Sequence, residues 1–419
     1  MARRHIQRWR AFRAHSSFQI IAMLMMTFLT ILFWFCVTVI FYIFFGYGII
    51  VWIAVKIKEM RHPDTSADPA AKEPEEKDLP EVTLLIAAYN EEDVIASKMQ
   101  NCLSLRYPED KLHLMWITDG STDRSPELLR SYKRNVVLHS DERRGKSAAL
   151  DRAMEHVHTP LVVMTDANTF LNEDCIMYIV RKFEDPHVGC VAGEKKVMDT
   201  GKNAAATEGL YWKYESFLKD LDDRLNSTMG AAGELIALRR ELYRPIPPDC
   251  LGDDMFLSMG VLRQGYKIAY CKEAYAMETP SANIEEERKR KVRLGALAWQ
   301  NVATLYDLMN PFKYGVTAFQ FVSHRVMRWV LAPSCIILAG VSNFAMVLMG
   351  APVFYIVSLV LQLLFYLAAF MGKILDRKGK AGILRVPYFF LFSNFSTFAG
   401  IPYLIKHKGN AAWEKAKRA

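Results

Sequence analysis

Three apolar runs in the middle of this chain each stop at a carboxylate. Val82 to Ala88 leads into Tyr89-Asn90-Glu91-Glu92, Leu112 to Thr118 into Asp119-Gly120-Ser121, and Pro160 to Met164 into Thr165-Asp166-Ala167-Asn168. Near-continuous apolarity over so few residues suits parallel strands buried on both faces. The carboxyl ends of such strands lie along one edge, where open α/β sheets bind their ligands. Three carboxylate-bearing turns on one edge, with Lys146 beside them, fit a nucleotide diphosphate. Carboxylates accept hydrogen bonds from a base and a ribose, Asp166 and Asn168 hold a divalent metal, and Lys146 adds a point charge. The competing reading is local: each acid also suits the start of the next helix, and Asn168 or Asn172 suits the cap of a helix from Glu173 onward.

These turns need a scaffold. Helices from the Glu91 turn to about Leu105, from Pro126 to Lys133 and from Lys146 to His156 alternate with the strands, and Asn135 to His139 adds another strand. That alternation predicts an α/β fold with a mostly parallel, doubly wound sheet and right-handed crossovers. The second half of the block is less regular. Val188 to Val191 reads as a short strand, Ala204 to Leu225 as a long helix, and Gly230-Ala231-Ala232-Gly233-Glu234 as a turn before the strand Leu235 to Leu238. Gly252-Asp253-Asp254 opens another helix, and Tyr266 to Tyr270 is a strand. Glu285 to Trp299 is a basic amphipathic helix of the kind that lies on a membrane surface.

The ends of the chain are different. Of 419 residues 51% are apolar, and they are concentrated in charge-free runs at Phe18 to Val55 and Trp329 to Gly372. The first run as one helix would span about 57 Å, against a hydrocarbon core of ~30 Å. It reads as one long helix or as two with a tight turn near Gly46-Tyr47-Gly48; if both basic ends face the cytoplasm, the hairpin is favoured. Gly350-Ala351-Pro352 splits the second run into two spans. Pro387 to Ile405 reads as a third span or a re-entrant segment. The net charge of +8 clusters beside these runs, which points to anionic lipid headgroups and away from nucleic acid. Seven cysteines without a CxxC pair indicate reduced thiols in the cytosol.

Taken in order, these motifs resemble the membrane-embedded family 2 glycosyltransferases, the group of cellulose, chitin, hyaluronan and poly-N-acetylglucosamine synthases. The resemblance covers about residues 80 to 300 and the trailing membrane helices. It implies a Rossmann-like GT-A domain flanked by N- and C-terminal transmembrane helices. It implies that Ala88, Tyr89, Glu91 and Asp119 hold the uridine of a UDP-sugar, and that Lys146 lies in the family's Gly-Lys-x-x-Ala-Leu stretch. Asp166-Ala167-Asn168 falls on the family's D-x-D motif, which binds Mg2+ or Mn2+. Here the last Asp is Asn, an oxygen ligand without charge.

The family's general base falls at Asp254, with Asp253 as its competitor. A carboxylate is needed there because an acceptor hydroxyl must lose its proton as it attacks the anomeric carbon. Arg293 matches the arginine of Q-x-x-R-W and would hold the diphosphate. Arg290 and Leu294 replace that motif's Gln and Trp, so the acceptor side departs from the family. Gly233, Glu234 and Trp299 are the candidates for acceptor binding.

The sequence thus predicts an inverting glycosyltransferase moving a sugar from a UDP-sugar to a growing polysaccharide or glycolipid. The alternatives are transfer of one sugar to a polyprenyl-phosphate or lipid acceptor, and a weakly catalytic member of a polysaccharide-export complex. The expected partners are the UDP-sugar, a carbohydrate or lipid-linked acceptor, the lipid bilayer and other export components. The expected setting is a bacterial inner or plasma membrane with the catalytic domain in the cytosol. Residues 1–61 are expected to form the N-terminal membrane segment, 62–80 a linker, 81–280 the catalytic domain, 281–315 interfacial helices, 316–405 the C-terminal transmembrane region and 406–419 a basic tail.

Overall fold

The computed structural model describes residues 2–62, 76–198, 203–279, 284–376 and 381–406. Most of the expected linker and the basic tail beyond Lys406 lie outside the described residues. In chain order the elements are α1 (Ala2–Phe41), a π-helical turn (Tyr42–Gly46), α2 (Tyr47–Arg61), β1 (Val82–Ala88), α3 (Glu92–Leu103), β2 (Leu112–Asp119), α4 (Ser125–Arg130), β3 (Asn135–Ser140), α5 (Lys146–Met154), β4 (Leu161–Asp166) and β5 (Thr169–Leu171). Then follow α6 (Cys175–Lys182), β6 (Val188–Val197), α7 (Asn203–Leu225), β7 (Ile236–Arg239), α8 (Asp253–Arg263), β8 (Lys267–Glu278) and α9 (Ile284–Thr304). The chain ends with α10 (Pro311–Tyr314), α11 (Val316–Gln320), a π-helical stretch (Phe321–Leu331), α12 (Ala332–Leu348), α13 (Val353–Asp376) and α14 (Arg385–Lys406). These elements divide into two compact units, one of residues 1–47 and 327–395, the other of 48–326 and 396–419.

The larger unit is built on an eight-stranded sheet in the order β3-β2-β1-β4-β7-β6-β8-β5. The first four strands are parallel, as the alternation of strands and helices predicts. Beyond β4 the sheet is mixed: β7 runs antiparallel to β4 and β6, β8 is parallel to β6, and β5 is antiparallel to β8. β6 and β8 continue well past the apolar cores of Val188 to Val191 and Tyr266 to Tyr270. Their extensions carry Glu194, Lys195, Lys196, Lys272 and Glu273, so an apolarity pattern stops too early.

Leu84, Ile86, Trp116 and Val163 are fully buried in the core of this unit. Each such side chain contributes roughly 1.5–3 kcal/mol. Register aligns the edge: Ala88 pairs with Thr118, and Ala87 with Asp166. The three acidic turns therefore begin side by side.

In the smaller unit, Phe33, Cys36, Val39 and Ile43 pack with Ala332, Cys335, Ala339 and Met346. Across the described residues, four helical stretches are long and apolar enough to cross a membrane: Phe18–Arg61, Val316–Leu348, Val353–Asp376 and Gly382–Lys406. The tight turn considered at Gly46-Tyr47-Gly48 does not form. The chain stays helical through the π turn, with Tyr47 at φ −57° and ψ −51°. A helix satisfies its own backbone groups, which an apolar surrounding demands, and a π turn absorbs an extra residue without breaking it. The break at Gly350-Ala351-Pro352 does form, between α12 and α13. The stretch left open between a span and a re-entrant segment is one helix, α14, with Pro402 inside it. All seven cysteines are free.

Candidate active site

The β1 turn and the β2 turn form a slot. Asn90 adopts a left-handed φ of 53°, a conformation that asparagine tolerates better than most residues. Its side chain bridges to the neighbouring turn, accepting from Thr122 N at 2.8 Å. Tyr89 carries the Arg143 guanidinium over its ring at 3.9 Å, and Arg143 Nη1 also donates to the Tyr89 hydroxyl at 3.2 Å. Gly120 lies under Arg143 at φ +65°, and a Cβ there would stand 2.5 Å from Arg143 Cβ. Only glycine suits both the backbone and the space. Glu91 N donates to Ser125 Oγ, which fixes the start of α3. Ala88 is buried at the end of β1.

Asp119 is held by the opposite loop. Its Oδ2 accepts from Arg144 N at 2.9 Å and Gly145 N at 2.6 Å. Its Oδ1 lies 3.6 Å from Arg152 Nη1 and is buried without a hydrogen-bond partner among the described residues. A buried carboxylate oxygen so placed suits an N–H donor brought by a ligand.

At the end of β4, Lys146 is the centre of charge. Its Nζ lies 2.8 Å from Asp166 Oδ1 and 3.3 Å from Asp253 Oδ2. Burial alone would lower the Lys146 pKa, but Asp166 and Asp253 outweigh burial and hold it above the ordinary lysine value. Asp254 is the second acid of α8. Its Oδ1 accepts from Met255 N at 2.8 Å. Gly233 faces its other oxygen: a Cβ on Gly233 would lie 3.5 Å from Asp254 Oδ2 and 3.7 Å from Lys146 Nζ. Burial first, and the Asp253 charge second, push the Asp254 carboxyl up to about 6. That is the range in which a carboxylate works as a base near neutral pH.

Helix α9 closes this side. Arg293 Nη2 donates to Leu251 O at 3.0 Å, and Gln300 Oε1 accepts from Leu251 N at 2.8 Å. Both side chains clamp the loop that enters α8. Burial pulls the Arg293 pKa down, while Asp253, Asp254 and Asp166 favour its charge. The guanidinium therefore belongs to the same electrostatic cluster as the three acids. Trp299 donates its indole N–H to Thr397 O at 2.9 Å. Glu234 bonds Lys195, which also meets Glu278 at 2.5 Å. Burial would raise the Glu234 carboxyl, but the Lys195 charge outweighs it and lowers it.

The structure thus brings Asp166, Lys146, Asp253, Asp254, Gly233 and Arg293 together, and sets Tyr89 and Asp119 in the adjoining slot. Asn168 is half-buried in the two-residue turn between β4 and β5. Asp166 and Asn168 offer two hard oxygens, which fit Mg2+ or Mn2+ when diphosphate oxygens and water complete the shell. Among the described residues no group of three or more His, Cys, Asp or Glu converges into a fuller cage.

One buried cation supporting this turn is not evident from the sequence motifs. Lys98 is fully buried beneath this turn, where its Nζ donates to Thr169 O at 2.6 Å. Thr165 Oγ1 donates to Glu234 O at 2.7 Å and tightens the same turn. The signal was present: Ile95, Lys98, Met99 and Cys102 form one buried helix face, with a lysine among apolar residues.

Comparison with known proteins agrees with this architecture. Residues 80–296 match the family described as glycosyltransferase like family 2. A poly-beta-1,6-N-acetyl-D-glucosamine synthase from Staphylococcus aureus (strain MSSA476) is 26% identical over 201 residues, which is 45% of this chain and 47% of that protein. In that match the chain spans about half the length of its curated relative. The synthase of the same name from Staphylococcus epidermidis is 20% identical over 364 residues, covering 80% of this chain and 87% of that protein. Among solved structures, a mannosyltransferase from Pyrobaculum calidifontis, in complex with GDP-Man and Mn2+, superposes with a TM-score of 0.62 at 19% identity. It covers 89% of this chain and 99% of its own, and the likeness is one of GT-A fold. This chain belongs to glycosyltransferase family 2, and its relatives include polysaccharide synthases.

Proposed function

We propose that this enzyme transfers a sugar, with inversion, from a UDP-sugar to a growing polysaccharide or glycolipid at a bacterial inner or plasma membrane, its catalytic domain facing the cytosol. The observation that carries this reading is the pairing of a raised carboxyl, Asp254, with the Lys146 cation across Gly233. The acceptor hydroxyl gives its proton to Asp254 as its oxygen bonds to C1. The C1–O bond to the diphosphate breaks, and its electron pair leaves with UDP. Lys146 and Arg293 balance the charge that develops on the leaving group. Asp253 holds Lys146 in place. Asp166 and Asn168 would hold Mg2+ or Mn2+, which supplies further positive charge to the diphosphate when bound.

Tyr89 with Arg143 offers a flat face to the base, and Asp119 Oδ1 offers an acceptor to an imide N–H such as that of uracil. The names of the staphylococcal relatives make an N-acetylglucosamine donor the first to try. The exposed Leu294, where the polymer synthases place Trp, favours a second reading, transfer of a single sugar to a lipid-linked acceptor. A screen of labelled nucleotide sugars with Mg2+ and with Mn2+, followed by product sizing, tests both. UDP-sugar turnover is the expected result, and chain length separates the two acceptors. Turnover of GDP-sugars alone would overturn the donor assignment.

A further inference from the structure

Helix α9 is pressed against the last part of α14 more closely than helices usually meet, and the contact points at Arg293. A Cβ on Gly295 would fall 2.2 Å from Ser396 O and 2.9 Å from Thr397 Cα. A Cβ on Gly400 would fall 2.2 Å from Ala296 N and 2.3 Å from Gly295 C. Both positions are closed even to alanine, as where small residues let helix backbones touch. The Trp299 indole donates to Thr397 O at 2.9 Å in the same seam.

The contacts form a ladder. Trp299 meets Thr397 and Ala296 meets Gly400, so the helices run in opposite directions and step three residues per rung. Continued by one step, the ladder brings Tyr403 to the level of Arg293. Tyr403 lies within electrostatic reach of the Arg293 guanidinium. From its other side Arg293 is held by Leu251 O. The guanidinium is therefore anchored to the loop that enters α8 and lies near the end of α14.

We propose that the end of α14 is a wall of the donor site, in which Tyr403 is a positioning residue that aims Arg293 at the diphosphate. This rests on reading Arg293 as a diphosphate ligand. The helix then does more than anchor the chain: the nucleotide site is incomplete without the segment from Ser396 to Lys406.

The test uses the full chain in detergent or nanodiscs, with UDP binding measured by calorimetry alongside KM and kcat for the donor. Tyr403→Phe keeps the ring and removes the hydroxyl. It should weaken UDP binding about tenfold and raise the donor KM, with thermal unfolding unchanged. In an Arg293→Ala background the same change should add nothing, because the hydroxyl acts through the guanidinium. Gly400→Val should part the seam, shift the Trp299 fluorescence and weaken UDP binding in the same direction. If Arg293→Ala loses UDP affinity while Tyr403→Phe and Gly400→Val keep it, the role of α14 is overturned and the diphosphate reading stands. If Arg293→Ala binds UDP as the wild type does, the diphosphate role of Arg293 falls, and the Tyr403 proposal with it.

Discussion

The Lys146 ammonium lies 2.8 Å from Asp166 Oδ1, so the turn that ends β4 meets a cation from its own chain. On the proposed reading, this cation competes with a free metal ion for Asp166 and cooperates with it on a bound diphosphate. Lys146→Met separates the two effects. Binding of Mn2+ alone should tighten, because a repelling charge is gone. Binding of UDP in the presence of Mn2+ should weaken by about tenfold, because a phosphate contact is lost. Calorimetry with Mn2+, with and without UDP, reads both.

The acid side of the pH profile follows from Asp254. With its carboxyl pushed up to about 6, the base form disappears as pH falls below that value. kcat/KM should then drop about tenfold per unit. The neighbours set the sign of further shifts. Asp253 raises Asp254, so Asp253→Asn should move the acid limb to lower pH. Lys146 lowers it, so Lys146→Met should move the limb to higher pH. Initial rates across pH 4.5 to 8 at subsaturating donor check both directions, about one unit apart or more.

Asn168 brings an oxygen without charge. Asn168→Asp restores a second carboxylate at the turn and should tighten Mn2+ on the order of tenfold, since ligand charge tunes such sites. Manganese EPR titration measures it. An unchanged affinity would remove Asn168 from the ligand set.

Gly120 tests the proposed base slot. A side chain there meets both a left-handed backbone, about 1–2 kcal/mol, and the Arg143 side chain. Gly120→Ala should displace Arg143 from Tyr89 and weaken UDP binding about tenfold, with a smaller effect on the binding of inorganic diphosphate. Equal losses for both ligands would place Arg143 and Tyr89 outside the base slot.

Much of this site is legible in the sequence because its parts are local. β1, β2 and β4 are buried on both faces, so apolarity marks them, and their acidic turns fall where the strands end. Asp254 and Arg293 came through resemblance, since nothing in their own spacing distinguishes them from helix-start and surface charges. The rest depends on contacts far apart in sequence. Lys98 meets Thr169 across 71 residues, and Trp299 meets Thr397 across 98. β5 is three residues long and has no pattern to detect. The helical continuity through Gly46 and Gly48 reflects a backbone that keeps its own hydrogen bonds, which glycine content conceals.

The central claim is that Asp254 takes the acceptor proton. Asp254→Asn keeps the size and the Met255 contact but cannot accept that proton, so sugar transfer should fall by about a hundredfold to ten-thousandfold. UDP binding measured on the same preparation should stay within about threefold of wild type, since Lys146, Asp166 and Arg293 are intact. Transfer at near wild-type rate by Asp254→Asn, with UDP binding intact, would contradict the account and move the base elsewhere.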